Sequence, residues 1–180
     1  MNDRDGLGLG DSAPRLELPD TTGEVRTLPF PGEAPATVVL WTCNHCPYAL
    51  AWHDRLIDVA REYGERGVRF LAVNSNDPDR YPVDSYEAMR ERVDREDWPF
   101  PYLHDSSQEA ARGWGARVTP HVFVLDADLR LRYEGAPDDD HRDPGARAAW
   151  VRAALDALLA GRDPEPSETE PVGCTIKWKP

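Results

Sequence analysis

The sequence predicts an α/β fold in which a mixed central sheet is flanked by helices on both faces, with an N-terminal hairpin and a C-terminal tail. Three observations carry this. A continuous β-branched and aromatic run, TVVLW at 37–41, and a second buried strand, VRFLAVN at 68–74, bracket a segment whose apolar residues recur near every 3.6 positions. Strand, helix and strand in that order require a parallel pair with a right-handed crossover, and continuous apolarity suits strands covered on both faces. The run HVFVL at 121–125, an Asp126-Ala127-Asp128 turn and the alternating Leu129, Leu131 and Tyr133 then form an antiparallel hairpin. Finally, Val151, Ala154, Leu155, Leu158 and Leu159 repeat at helical spacing before a stop at Gly161.

Each element follows in order. Residues 1–13 are acidic and glycine-rich and are expected to be flexible. Between Pro14 and Pro31, Leu16 and Leu18 point inward, Thr22-Gly23 turns, and Val25 and Leu28 return. The strand at 37–41 runs into Cys43-Asn44-His45-Cys46, and a helix follows to Gly64 or Gly67. After the strand at 68–74, Ser75 to Pro82 is a polar loop. Tyr86, Met89 and Val93 mark a helix ending before Pro99. Pro101 to His104 is a brief strand, and Gln108 to Trp114 a short helix capped by Asp105, Ser106 or Ser107. A loop from Gly115 ends in Thr119-Pro120. The last helix spans 146–159. The domain therefore covers 14–162, and 163–180 is an acidic, proline-rich linker leading to an apolar tail that contains Cys174.

Composition limits the function. With 33 acidic and 21 basic residues the net charge is −12, and the arginines alternate with acids, so no basic track for nucleic acid or an anionic membrane forms. No apolar stretch reaches the roughly 20 residues of a membrane span. The N-terminal MNDRDGLGLGDSAP lacks the apolar core of a secretory leader, and a cytoplasmic location is expected. No G-x-G-x-x-G or G-K-S/T signature is present, so neither dinucleotide nor nucleoside triphosphate is expected, and no cofactor is implied.

The three cysteines carry the chemistry. Cys43 and Cys46 form a C-x-x-C pair after a central strand, and residues three apart on a first helical turn share a face. Placed there, Cys43 would have its thiolate held by free amide groups and the helix dipole, and His45 would add a positive charge. Pro47 suits a first helical turn, where its missing N–H costs nothing. Attack by Cys43 and resolution by Cys46 is the expected division of labour. A metal site built from Cys43, His45, Cys46 and Cys174 is a competing reading.

WTCNHCPY at 41–48, Thr119-Pro120, the leader at 13–20 and the tail GCTIKWK at 173–179 resemble the thioredoxin superfamily. Within it they are similar to the peroxiredoxin-like group related to alkyl hydroperoxide reductase and thiol-specific antioxidant. The resemblance spans roughly 13–179. It implies a thioredoxin-like fold, Cys43 as attacking and Cys46 as resolving thiol, and Pro120 in cis beside them, exposing the Thr119 backbone to an extended partner. Peroxiredoxins carry a Thr three residues before the attacking Cys and a Pro four before that Thr. Before Cys43 those places hold Leu40 and Ala36. Thiol-disulfide exchange with a protein or small-molecule partner is therefore the first expectation, peroxidase activity the second, and metal binding the third. Cys174 is a candidate third redox thiol exchanging with Cys43. Trp41 and His121 are candidates to flank the pair, and the charged run at 90–97 is expected to face solvent.

Overall fold

The structure, a computed structural model, describes residues 5–30 and 32–180. Strands β1 (Leu16–Pro19) and β2 (Val25–Leu28) pair antiparallel, with Leu16 opposite Leu28. The Asp20 carboxylate fixes their turn by accepting from the Thr22 N–H and hydroxyl and from Arg26. Leu16 and Leu28 are buried. Val25, expected to return inward, lies beside the turn opposite Pro19 and is 58% exposed.

The remaining strands and α-helices are β3 (Ala36–Trp41), α1 (Pro47–Gly64), β4 (Arg69–Asn74), α2 (Tyr86–Glu96), β5 (Tyr102–His104), α3 (Glu109–Trp114), β6 (Val118–Thr119), β7 (His121–Asp126), β8 (Leu131–Gly135), α4 (Ala149–Leu159) and β9 (Cys174–Thr175), with short 3-10 turns at Pro82–Asp84 and Pro144–Ala146. The central sheet runs β5-β4-β3-β7-β8. β3, β4 and β5 are parallel, and β7 and β8 return antiparallel. Every residue of β3 is buried, as its central place demands. Its alternation splits the core in two. Val38 and Leu40 pack with Trp52 and Leu56 of α1 and with Val151 and Leu155 of α4. Val39 and Trp41 face the other way, toward Phe123, Trp114 of α3 and the hairpin leucines Leu16 and Leu28. The sheet thus carries helices on both faces, the thioredoxin-like arrangement expected.

Both termini are more firmly held than their composition suggests. Of the segment expected to be flexible, residues 1–4 lie outside the described residues. Residues 5–13 pack onto the domain: Leu7 is buried, Gly10 N–H donates to the Leu131 carbonyl at 2.8 Å, and Ala13 N–H to that of Leu129 at 2.8 Å. The linker is also docked. Thr169 N–H donates to the Glu134 carbonyl at 3.0 Å, and Glu134 N–H to that of Ser167 at 3.2 Å, so 167–169 lines the free edge of β8. Gly135 permits this, since a Cβ there would lie 2.5 Å from the Thr169 carbonyl oxygen. Backbone pairing of this kind satisfies an open strand edge and needs no apolar pattern. Among the described residues no helix is long and apolar enough to cross a membrane.

Candidate active site

The site lies where β3 ends and α1 begins. The sequence places the first helical turn at Cys43. In the structure α1 starts at Pro47, and Cys46 is its N-cap with extended backbone, φ −68° and ψ 124°. Proline at the first helical position fixes this start. Cys46, not Cys43, therefore sits at the positive end of the helix.

Side chains from elsewhere hold the turn at 43–46 in place of helical bonds. Asp84, wholly buried, accepts from the Asn44 N–H at 2.7 Å and contacts His45 Nδ1 at 2.5 Å. Asn74 and Asn76 donate to the same carboxylate, at 3.1 and 3.0 Å. Arg92 donates to the Cys43 carbonyl at 2.9 Å and to Asn44 Oδ1 at 3.2 Å, and Tyr102 donates its hydroxyl to Asn44 Oδ1 at 3.0 Å. This corrects the reading of 90–97 as a solvated face at one position: Arg92 is 3% exposed and lies over the Trp98 ring, while Arg90, Glu91, Asp94, Arg95 and Asp97 face outward. The network was missed because buried charge leaves no periodic trace. The only local hint is the polar run Asn74-Ser75-Asn76-Asp77 directly after a buried strand.

The two sulfurs meet. Cys46 N–H donates to Cys43 Sγ at 3.3 Å, and Thr119 Oγ1 lies 3.3 Å from the same sulfur. Cys46 Sγ is 3.1 Å from the Thr119 carbonyl oxygen, to which its thiol form donates. Cys43 is 1% exposed and Cys46 0%. A hydrogen bond from the Cys43 thiol, above all, holds the Cys46 thiol well below the usual range, against the upward push of burial. Cys174 and the Ala49 N–H add to this stabilisation. The same bond, then burial and the nearby Asp84 carboxylate, push Cys43 up. Sharing of one proton within the pair thus lowers Cys46 at the expense of Cys43, the reverse of the order the sequence suggests, while the Cys46 N–H and the Thr119 hydroxyl both lie against Cys43 Sγ. His45 does not alter this, because its imidazole is matched by the Asp84 carboxylate.

The Thr119–Pro120 bond is cis. Its neighbouring strand edge is not open to a partner, because the tail occupies it. β9 pairs antiparallel with β6, with Thr119 opposite Cys174. Cys174 packs on Cys43, Cys46 and Ala49 and is only partly buried. Its sulfur meets that of Cys46, which corrects the expectation that it would exchange with Cys43. Ile176 is 2% exposed and belongs to the core around Trp41 and Trp114.

Other candidates fall away from the sulfurs. Trp41 donates to Ser75 Oγ at 3.0 Å and packs tilted against Trp114 and edge-on to Phe123. His121 is buried against Phe123, with Nε2 3.4 Å from Glu134. Cys43 Sγ, a His45 nitrogen and an Asp84 oxygen lie within 4.8 Å of one another, a set that could hold a metal, with Cys46 and Cys174 outside it. Asp84 already uses both oxygens, so a metal would have to break those bonds.

The AhpC/TSA family pattern matches residues 9–134. A rice protein named 1-Cys peroxiredoxin B (Oryza sativa subsp. indica) is 30% identical over 97% of this chain and 80% of its own length. The maize 1-Cys peroxiredoxin PER1 (Zea mays) is 25% identical over 82% of this chain, which spans only 59% of that protein. A crystal structure of an uncharacterized conserved protein from Geobacillus kaustophilus superposes with a TM-score of 0.92 at 40% identity, covering 97% of this chain and 94% of that one. By pattern, by relatives and by fold, the chain belongs to the AhpC/TSA family of thioredoxin-like, peroxiredoxin-like proteins.

Proposed function

We propose that the chain is a thiol peroxidase of the cytoplasm. The Cys46 thiolate attacks the terminal oxygen of a hydroperoxide: an S–O bond forms, the O–O bond breaks, and the departing oxygen leaves as water or an alcohol on taking up a proton. Cys46 becomes a sulfenic acid. The Cys43 sulfur then attacks it, giving a Cys43–Cys46 disulfide and releasing water. One peroxide is reduced by two electrons and two thiols are oxidised. An external dithiol returns the pair to the reduced state.

One observation carries this reading: both sulfurs are almost wholly buried yet in mutual contact. A small peroxide needs far less room than a protein partner. A protein disulfide would need the strand edge that β9 occupies. The names of the rice and maize relatives point the same way. The family's Thr does not stand three residues before Cys46, where this chain has Cys43, but the Thr119 hydroxyl reaches the pair from the opposite side. Disulfide exchange, ranked first from the sequence, is therefore placed second.

Peroxide consumption with a recycling dithiol tests the proposal. Wild type should consume peroxide, Cys46→Ser should not, and Cys43→Ser should accumulate a dimedone-reactive sulfenic acid at Cys46. Turnover of insulin disulfides without peroxide consumption would refute it. Sulfenic acid at Cys43 in the Cys46→Ser variant would reverse the roles of the two sulfurs.

A further inference from the structure

The buried pair poses a problem for its own reduction. An external dithiol must reach a sulfur in line with the disulfide bond, and neither Cys43 nor Cys46 meets solvent. Cys174 is the only cysteine sulfur of this chain on a partly exposed residue. We propose that Cys174 is the exit thiol of the cycle, receiving the disulfide from the buried pair and presenting it to the reductant. The inference rests on the peroxidase reading for the source of the oxidation, but the relay itself needs only a Cys43–Cys46 disulfide.

Geometry supports the role. Cys174 packs against the cluster of Cys43, Cys46 and Ala49 and is in hydrogen-bond contact with Cys46. Its backbone is fixed on both sides. Before it, Gly173 sits so close to Thr119 that a Cβ would lie 2.0 Å from the carbonyl oxygen. After it, Ile176 N–H donates to the Arg117 carbonyl at 3.0 Å and Ile176 is buried. Lys177 N–H donates to Asn76 Oδ1 at 2.8 Å, and the Lys177 carbonyl accepts from Asp77 N–H and from Gln108. Anchors on each side hold the sulfur beside its target, which turns a bimolecular exchange into an intramolecular one.

The exchange balances. The Cys174 thiolate attacks Cys46 of the Cys43–Cys46 disulfide. The 174–46 bond forms, the 46–43 bond breaks, and Cys43 leaves as a thiolate that takes up the proton Cys174 lost. The external dithiol then attacks Cys174, and Cys46 leaves as its stabilised thiolate. The dithiol's second sulfur closes on the first and frees Cys174. The timing is built in. Burial, then hydrogen bonding and charge at Cys46, push the Cys174 thiol up. Oxidation of the pair removes the Cys46 charge and with it part of that penalty, so Cys174 becomes a nucleophile when it is needed.

The test uses the full chain oxidised with diamide, a thiol oxidant, so that a failure of the peroxidase reading does not obscure it. After acid quench and alkylation, mass spectrometry of wild type should find a 46–174 disulfide beside the 43–46 one. Reduction of oxidised Cys174→Ser by dithiothreitol should be slower than wild type by about tenfold or more, since access governs exchange. A wild-type protein holding only the 43–46 bond, or a variant reduced at the wild-type rate, would overturn the inference. Loss of peroxide turnover in wild type with the relay intact would instead refute the peroxidase proposal alone.

Discussion

The substitution Gly173→Ala tests whether the tail is what seals the site. Its new methyl would stand 2.0 Å from the Thr119 carbonyl oxygen, 2.6 Å from the carbonyl carbon and 3.1 Å from Pro120 N. All three are backbone atoms, and none can rotate away as a side-chain end could. Gly173 is not in the left-handed region, so alanine brings no conformational penalty of its own. Overpacking of this kind costs about 1–3 kcal/mol, which shifts a docked-to-undocked ratio by about 5- to 150-fold. The cost falls on the β6–β9 pairing, because the rest of the domain can relax by letting β9 go. The assay is the rate of iodoacetamide alkylation at Cys46, read by mass spectrometry. The expected result is a rate increase within that range, with secondary structure unchanged by circular dichroism. Gly64→Ala, where a Cβ meets nothing within 4 Å, serves as the control and should leave the rate alone. An unchanged rate in Gly173→Ala would show that something other than the tail covers the sulfurs.

Other outcomes follow from the same contacts. Asp138 accepts from Trp52 Nε1 at 2.6 Å, from the buried Arg55 and from the Ala148 N–H, so Asp138→Ala strands a buried guanidinium. A loss of about 3–5 kcal/mol is expected in urea unfolding, and a loss under 1 kcal/mol would contradict it. Arg92→Lys keeps the charge but cannot reproduce the fork that binds Cys43, Asn44 and Glu96 together. Destabilisation of about 1–3 kcal/mol is expected by the same measurement, and wild-type stability would show the clamp to be dispensable. The folded pKa of Cys46 is depressed, so its contribution to stability is complete above the unfolded value of about 8.5 and is lost as pH falls through the folded value. The alkylation rate of Cys46 should therefore be nearly flat between about pH 6.5 and 8, whereas a profile rising through an ordinary thiol value of about 8.5 would place the charge elsewhere.

The layout of the sheet was readable because long-range order there follows from local pattern. β3, β4 and β7 each have an apolar, largely β-branched or aromatic centre, and α4 keeps helical spacing. The C-x-x-C after a central strand and the Thr-Pro loop located the site. Three features were not readable, each for a physical reason. β6 and β9 have two residues each and form only by pairing with one another across the fold. The docking of 5–13 and 167–169 uses backbone groups, which every sequence has. Asp84 and Arg92 look like surface charges because their shared partner Asn44 is 40 or more residues away, and because the nearer Asn74 and Asn76 read as an ordinary polar loop. Asp84 adds to the electrostatics: it pairs with His45, and its charge pushes Cys43 up after the Cys43–Cys46 hydrogen bond and burial have done so.

The most direct measurement is stoichiometric. Reduced full-length chain, with its three thiols, is mixed with one equivalent of hydrogen peroxide without reductant, and residual peroxide and free thiols are counted together. The account predicts complete loss of peroxide with two thiols consumed, and no loss in Cys46→Ser. Persistence of the peroxide with all three thiols still titratable would contradict it.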